Sequence, residues 1–156
     1  MSIVKWLSLV LLLGVIAGAG YFVTQCPCER TPGLWLLGDE GPEPADWQFA
    51  NTERLCQIEV TSWYTHSVNL NCMASEDGQL YLSCSRCDGK VWSTAALNNA
   101  NGRIRIGELI YPVTLRRVTD AVELDKAWEA RYTKLKRDPS ERPDHWWSFN
   151  LTYGHQ

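Results

Sequence analysis

GQLYLSCSRCDGKVWSTAALNNANGRIRIG, Gly78 to Gly107, is the stretch whose reading decides the fold. Gln79 to Cys84 alternates Leu80, Leu82 and Cys84 against Gln79, Tyr81 and Ser83, the period of a strand. Cys84 to Gly89 is a polar turn, and Lys90 opens a short helix, Val91 to Asn98, rich in Ala and Leu. Asn99-Ala100-Asn101-Gly102 stops that helix, because Asn and Gly tolerate positive φ. Arg103 to Ile106 alternates again and begins the next strand. The order is strand, polar turn with cations, short helix, Asn-rich stop, strand. Hydroxyls and cations gathered at such a turn can hold a phosphate; an ordinary surface turn has the same composition.

Outward from this stretch the strands continue. Leu55 to Trp63 alternates around Cys56, Ile58 and Val60. Ser67 to Ala74 sets Val68, Leu70 and Cys72 against Ser67, Asn69 and Asn71. Ser75-Glu76-Asp77-Gly78 is a hairpin turn ending in Asp-Gly. Arg103 to Ile106 and Leu109 to Val118 form a second hairpin across Gly107-Glu108. From Asp120, the residues Leu124, Ala127, Trp128, Arg131 and Leu135 recur at helical spacing. Lys134, Lys136 and Arg137 at the end of that helix suit its dipole. Trp146 to Tyr153 closes the chain as a strand, with Trp147, Phe149 and Leu151 on one face and Trp146, Ser148 and Asn150 on the other. Leu34 to Gly38 reads as a short first strand, and Asp46 to Phe49 as an aromatic lid on one end of the core. The expected fold is mainly β (α+β): a small antiparallel barrel of six or seven strands with two helices, preceded by one N-terminal transmembrane helix.

The 156 residues suffice for one domain with a real core, and a net charge of −3 gives no general attraction to nucleic acid. Trp6 to Val23 is apolar without a charge, and at 1.5 Å per residue it nearly crosses a bilayer core. Trp6 and Tyr21-Phe22 sit where interfacial anchors belong, and Lys5 on the short side places the N-terminus in the cytoplasm and the body outside it. A cleaved signal peptide competes, since Ala17-Gly18-Ala19 fits a small-x-small site. The residues before Cys26 do not resemble a lipoprotein signal. The expected organisation is an anchor over 1–25, a linker over 26–33 and a domain over 34–156, with the membrane as partner.

Six cysteines in an exported chain favour disulfides. Cys26, Cys28, Cys84 and Cys87 could equally supply four thiolates to zinc, and C-x-x-C at Cys84–Cys87 can be redox-active. Cys56 and Cys72 fall on apolar faces of neighbouring strands, where buried free thiols also belong. The pairing is not legible from spacing. His66, His145 and His155 are too scattered for a metal motif. The sequon at Asn150 lies inside a strand, which argues against its use. No Ser-His-Asp or paired-carboxylate arrangement supports hydrolysis.

The order of elements resembles the FMN-binding split barrel, the superfamily of pyridoxamine-5′-phosphate-oxidase-like proteins and deazaflavin-dependent nitroreductases. The resemblance spans Leu34 to Tyr153 and rests on W-x-x-x-x-L-x-N-x-N followed by R-I-R-I-G-x-x-I-Y, Trp92 to Tyr111. It implies a flavin, FMN or a deazaflavin, between strands at a homodimer interface. Ser83, Ser85, Arg86 and Lys90 would then hold its phosphate, and His66, Ser67 and Trp92 would approach its ring. The oxidase pattern wants Arg where Ser67 stands and Lys where Cys72 stands, so two charge-assisted contacts, each typically about 1.5–3 kcal/mol, are missing. The nitroreductase-type G-R-x-S-G turn is also absent. Three functions stay open: flavin-dependent redox chemistry on a small substrate, a cofactor-free barrel binding a ligand or an envelope partner, and thiol–disulfide exchange at Cys84–Cys87.

Overall fold

A computed structural model describes residues 3–154; His155 lies outside them. The first helix, α1 (Ile3–Gln25), has no buried residue and stands clear of the rest. It is long and apolar enough to cross a membrane.

Six strands follow: β1 (Cys56–Thr61), β2 (Thr65–Ala74), β3 (Leu80–Cys84), β4 (Asn101–Ile106), β5 (Leu109–Arg117) and β6 (Trp147–Tyr153). They close into an antiparallel barrel in the order β1-β2-β3-β6-β5-β4. Alternation turns Cys56, Ile58, Val60, Leu80, Leu82, Ile104, Val113, Phe149 and Leu151 into one interior cluster. Helix α2 (Val91–Asn98) adds Trp92, Ala95 and Ala96 to that cluster and so plugs one end of the barrel. At the other end a 3-10 turn, Gln48–Asn51, carries the expected lid. Its flanking Trp47 is buried edge-on against Tyr111 at 5.4 Å between ring centroids. Asn51 holds the turn in place through both the amide and the carbonyl of Ala74.

Helix α3 (Ala121–Lys134) is capped by Asp120, whose carboxylate accepts from the Glu123 amide at 2.9 Å. It lies on the outer face of the barrel. There Met73, Tyr81, Val118 and Trp146 pack against Ala127 and Ala130 in a second, smaller core. Both faces of β6 are therefore buried, Phe149 and Leu151 on one and Ser148 and Asn150 on the other. Lys134 does more than oppose the helix dipole. Its Nζ donates to the carbonyls of Ala50 and Cys72, and burial brings its pKa down to about 8.

The expected strand over Leu34–Gly38 is not formed. Gly33 to Gly41 instead crosses the outside of the barrel as a strap. Gly33 pairs with Ser67 on β2. The Leu36 amide donates to the buried Glu59 carboxylate of β1, and the Leu36 carbonyl accepts from Arg103 of β4 at 3.1 Å. Arg105 donates to the Leu37 carbonyl, and Gly41 donates to Ile110 of β5 at 2.8 Å. Side chains satisfy much of this backbone, so no ladder is needed. The strap runs across the strands, and alternation within it cannot signal a strand.

Candidate functional site

Strands β2 and β3 pair only from Asn71 opposite Ser83 to Ala74 opposite Leu80. Beyond that point β3 ends in the Cys84–Gly89 turn, while β2 continues to Thr65 along β1. The barrel is split there, and the free edge of β2 faces the turn and α2. Two clefts open on either side of the gap. They share Asn69, Leu70 and Cys84.

The cleft on the α2 side has a volume of about 290 Å³ and is lined by Lys90, Trp92, Val68 and the residues Glu29 to Pro32 that follow α1. The segment after α1 forms a wall because it is fastened down. Asn69 Nδ2 donates to the carbonyls of Pro27 at 3.3 Å and Glu29 at 3.0 Å, and Gln57 Nε2 donates to Pro27 at 3.1 Å. The cleft on the α3 side, about 230 Å³, is lined by Asn71, Ser83, Ser85 and Arg131. Both volumes fall just below the usual range of about 300–1,000 Å³ for small-molecule pockets.

Arg131 is the feature that the sequence reading passed over. Helical spacing counts it among the core-facing positions of α3, and it does share that face, over the polar end of β2 and β3. It is half-buried, and its guanidinium lies 4.9 Å from the centre of the Trp128 ring. Among the described residues it has no ion-pair or hydrogen-bond partner. Burial, and then the charge of Arg137, hold it below the usual arginine range. A cation on the buried stripe of a helix is the signal that marks it. Asn69 and Asn71 were also passed over, as outward residues of a strand.

The expected site residues divide into groups. Lys90 and Trp92 meet in the first cleft; Ser83 and Ser85 meet in the second. Ser83 is buried, with only the Met73 sulfur at 3.9 Å as partner for its hydroxyl. Arg86 is exposed on the turn and lines neither cleft. His66 lies at the start of β2, edge-on to Tyr64 at 5.8 Å, and burial lowers its pKa. Ser67 is fully buried under the strap, and its hydroxyl has no hydrogen-bond partner. Trp92 is only 4% exposed and packs on Phe149 at 5.2 Å, so it offers the cleft an edge and not a face. Of the four residues expected to hold a phosphate, Ser83, Ser85 and Lys90 thus stand around the gap and Arg86 does not. The ring-holding residues share no slot.

The structure joins the cysteines in three pairs: Cys26 with Cys28, Cys56 with Cys72, and Cys84 with Cys87. The last pair closes the turn between the two clefts. Among the described residues, no group of three or more His, Cys, Asp or Glu is placed to hold a metal ion.

No family model and no curated protein sequence matches the chain. Solved structures do. One is a candidate pyridoxamine 5′-phosphate oxidase from Listeria innocua, with a TM-score of 0.55 and 11% identity over 67% of this chain and 87% of that one. Another is a NimC/NimA family protein from Clostridium acetobutylicum, with a TM-score of 0.51 and 11% identity over 67% of this chain and 77% of that one. The chain therefore has the split-barrel fold that the Trp92–Tyr111 pattern implies.

Proposed function

We propose that this chain is a membrane-anchored split-barrel protein that binds a small phosphate-bearing ligand of the flavin type in the gap between β2 and β3. The observation that carries this reading is Arg131. A half-buried guanidinium without a counter-ion is costly, and it shares its cleft with Ser83, Ser85 and Asn71, all able to donate to an anion. Lys90 stands across the gap in the adjoining cleft. Where the family pattern places cations on β2, α3 supplies one from outside. Ser83, Ser85, Lys90 and Arg131 would hold the phosphate, and any redox chemistry would be that of the flavin.

The test is calorimetric titration of the full chain in detergent with FMN, riboflavin and inorganic phosphate. FMN should bind at least tenfold more tightly than riboflavin, which lacks the phosphate. Arg131→Ala should weaken FMN by tenfold or more, as loss of a charge-assisted bond of about 1.5–3 kcal/mol requires. Equal binding of FMN and riboflavin, or none of either, refutes the reading.

A second reading, a cofactor-free barrel for an envelope partner or another small ligand, is favoured by the ring side of the site. Ser67 is covered by the strap and Trp92 is committed to the core. It predicts a colourless protein whose absorption does not change on adding FMN or a deazaflavin.

A further inference from the structure

The barrel end that α2 closes carries apolar side chains that nothing among the described residues covers. Trp63, at the tip of the β1–β2 hairpin, is 88% exposed and sits edge-on to Tyr64 at 4.4 Å. Val91 and Leu97 of α2 are about half exposed. Asn99 donates to the Thr61 carbonyl at 3.3 Å, which brings the end of α2 beside the hairpin. Large exposed aromatic and aliphatic groups gathered in one place mark an interaction surface.

Cations stand beside these apolar groups. From Cys84 to Asn98 the only carboxylate is Asp88, against Arg86 and Lys90. Arg117 adds a third exposed cation over the ring of Trp147, whose strand pairs with Cys84. From Thr61 to Ser67 the only titratable groups are Tyr64 and His66, and burial lowers the His66 pKa, which leaves the imidazole neutral near pH 7.

The exit of α1 supplies the direction. The Pro27 carbonyl lies over Asn69, whereas the Val23 carbonyl accepts from Leu34 at 3.4 Å, next to the Gly33–Ser67 pair. Stepping back along the chain from Pro27 into α1 therefore runs from Asn69 towards Ser67, along β2 in the direction of Thr65. At about 3.3 Å per residue the hairpin tip lies roughly 10 Å further on. The helix leaves the barrel on the side where Trp63, Arg86 and Arg117 are exposed and Tyr64 is half-buried.

We infer that the α2 end of the barrel rests on the bilayer that α1 enters, with Trp63 and Tyr64 in the headgroup layer and Arg86 and Arg117 against anionic lipid. The inference rests on the reading of α1 as a membrane anchor. Trp and Tyr favour that layer because each has an apolar body and a polar tip, and basic side chains are drawn to the surface of an anionic leaflet.

The full chain would be reconstituted in vesicles of phosphatidylcholine with one third phosphatidylglycerol, the lipid brominated near the top of its acyl chains. Trp63→Phe should lose part of the bromine-quenched tryptophan emission seen in the wild type. Trp47→Phe, in the lid at the opposite end of the barrel, should keep all of it. Replacing the phosphatidylglycerol with phosphatidylcholine should also reduce quenching of the wild type, and reduce it less in Arg86→Ser. Trp63 is almost fully exposed, so its replacement leaves the core intact. If Trp63→Phe is quenched as strongly as the wild type while the chain resists carbonate extraction, the anchor stands and the docking is refuted. If carbonate releases the chain, the anchor fails and the docking with it.

Discussion

Replacing both Cys56 and Cys72 with alanine should remove about 3 kcal/mol from the stability of the barrel. The bridge joins β1 to β2 across 16 residues of sequence, and both cysteines are completely buried. Closing a loop of that length in the unfolded chain costs about 10 cal/mol/K of entropy, or about 3 kcal/mol at 25 °C. Alanine is the right replacement, because serine would bury two hydroxyls and add a penalty of about 1–3 kcal/mol for each one left unpaired. The Lys134 bond to the backbone carbonyl of residue 72 survives the change, while its 3.5 Å contact with the Cys72 sulfur is lost. The assay is urea unfolding of the full chain in detergent, followed by near-ultraviolet circular dichroism of the buried tryptophans. With a slope of about 1–3 kcal/mol/M, the midpoint should fall by roughly 1–3 M. Against a net stability of about 5–15 kcal/mol, such a loss is large. A double variant within about 1 kcal/mol of the wild type would refute the argument that this bridge constrains the unfolded chain. Reduction should cost the wild type about 3 kcal/mol more than it costs the variant, which keeps the Cys26–Cys28 and Cys84–Cys87 bridges.

Lys134 gives a pH signature. Its pKa is brought down to about 8 by burial, so the unfolded chain holds more protons than the folded one from about pH 8 to the unperturbed value near 10.4. Over that window the wild type should gain thermal stability relative to Lys134→Met; parallel curves would count against the burial of its charge. Glu59→Ala should detach the strap, because it strips the Leu36 amide and Arg103 of their shared carboxylate. We expect a loss of about 1–3 kcal/mol and faster proteolysis between residues 33 and 41, and unchanged cleavage would refute the role given to Glu59. Gly78→Ala should cost about 1–3 kcal/mol, since Gly78 has φ +78° and a Cβ there would come within 2.7 Å of the Asp46 Cβ. An unfolding midpoint equal to that of the wild type would show that the turn relaxes.

Much of this architecture is legible in the chain itself. Val91–Asn98 is bounded by Lys90 and by an Asn-rich stop, and the structure ends α2 at those residues. The alternation on β6 separates Phe149 and Leu151 from Trp146 correctly because both of its faces are buried, each against a different core. The strap was not legible, because its order comes from Glu59, 23 residues away, and Arg103, 67 residues from its contact. No local period can report such partners. The pairing of Cys56 with Cys72 needed the register that sets Cys56 opposite Leu70. Arg131 hid within a correct helical pattern: spacing identified its face, but not that this face passes from the apolar part of the sheet to its polar split.

The strap also sets an order of events. It leaves α1 first, yet its last partner, Ile110, is made some 70 residues later. During synthesis Gly33 to Gly41 must wait, without a surface to lie on, until β1, β4 and β5 have come together. Its docking is a closing step of folding, whereas Glu29 to Pro32, which wall the cleft beside Lys90, follow a segment held by Gln57 on β1 and Asn69 on β2. A nascent chain stalled before β5 would therefore have its first helix complete but neither a closed barrel nor a docked strap.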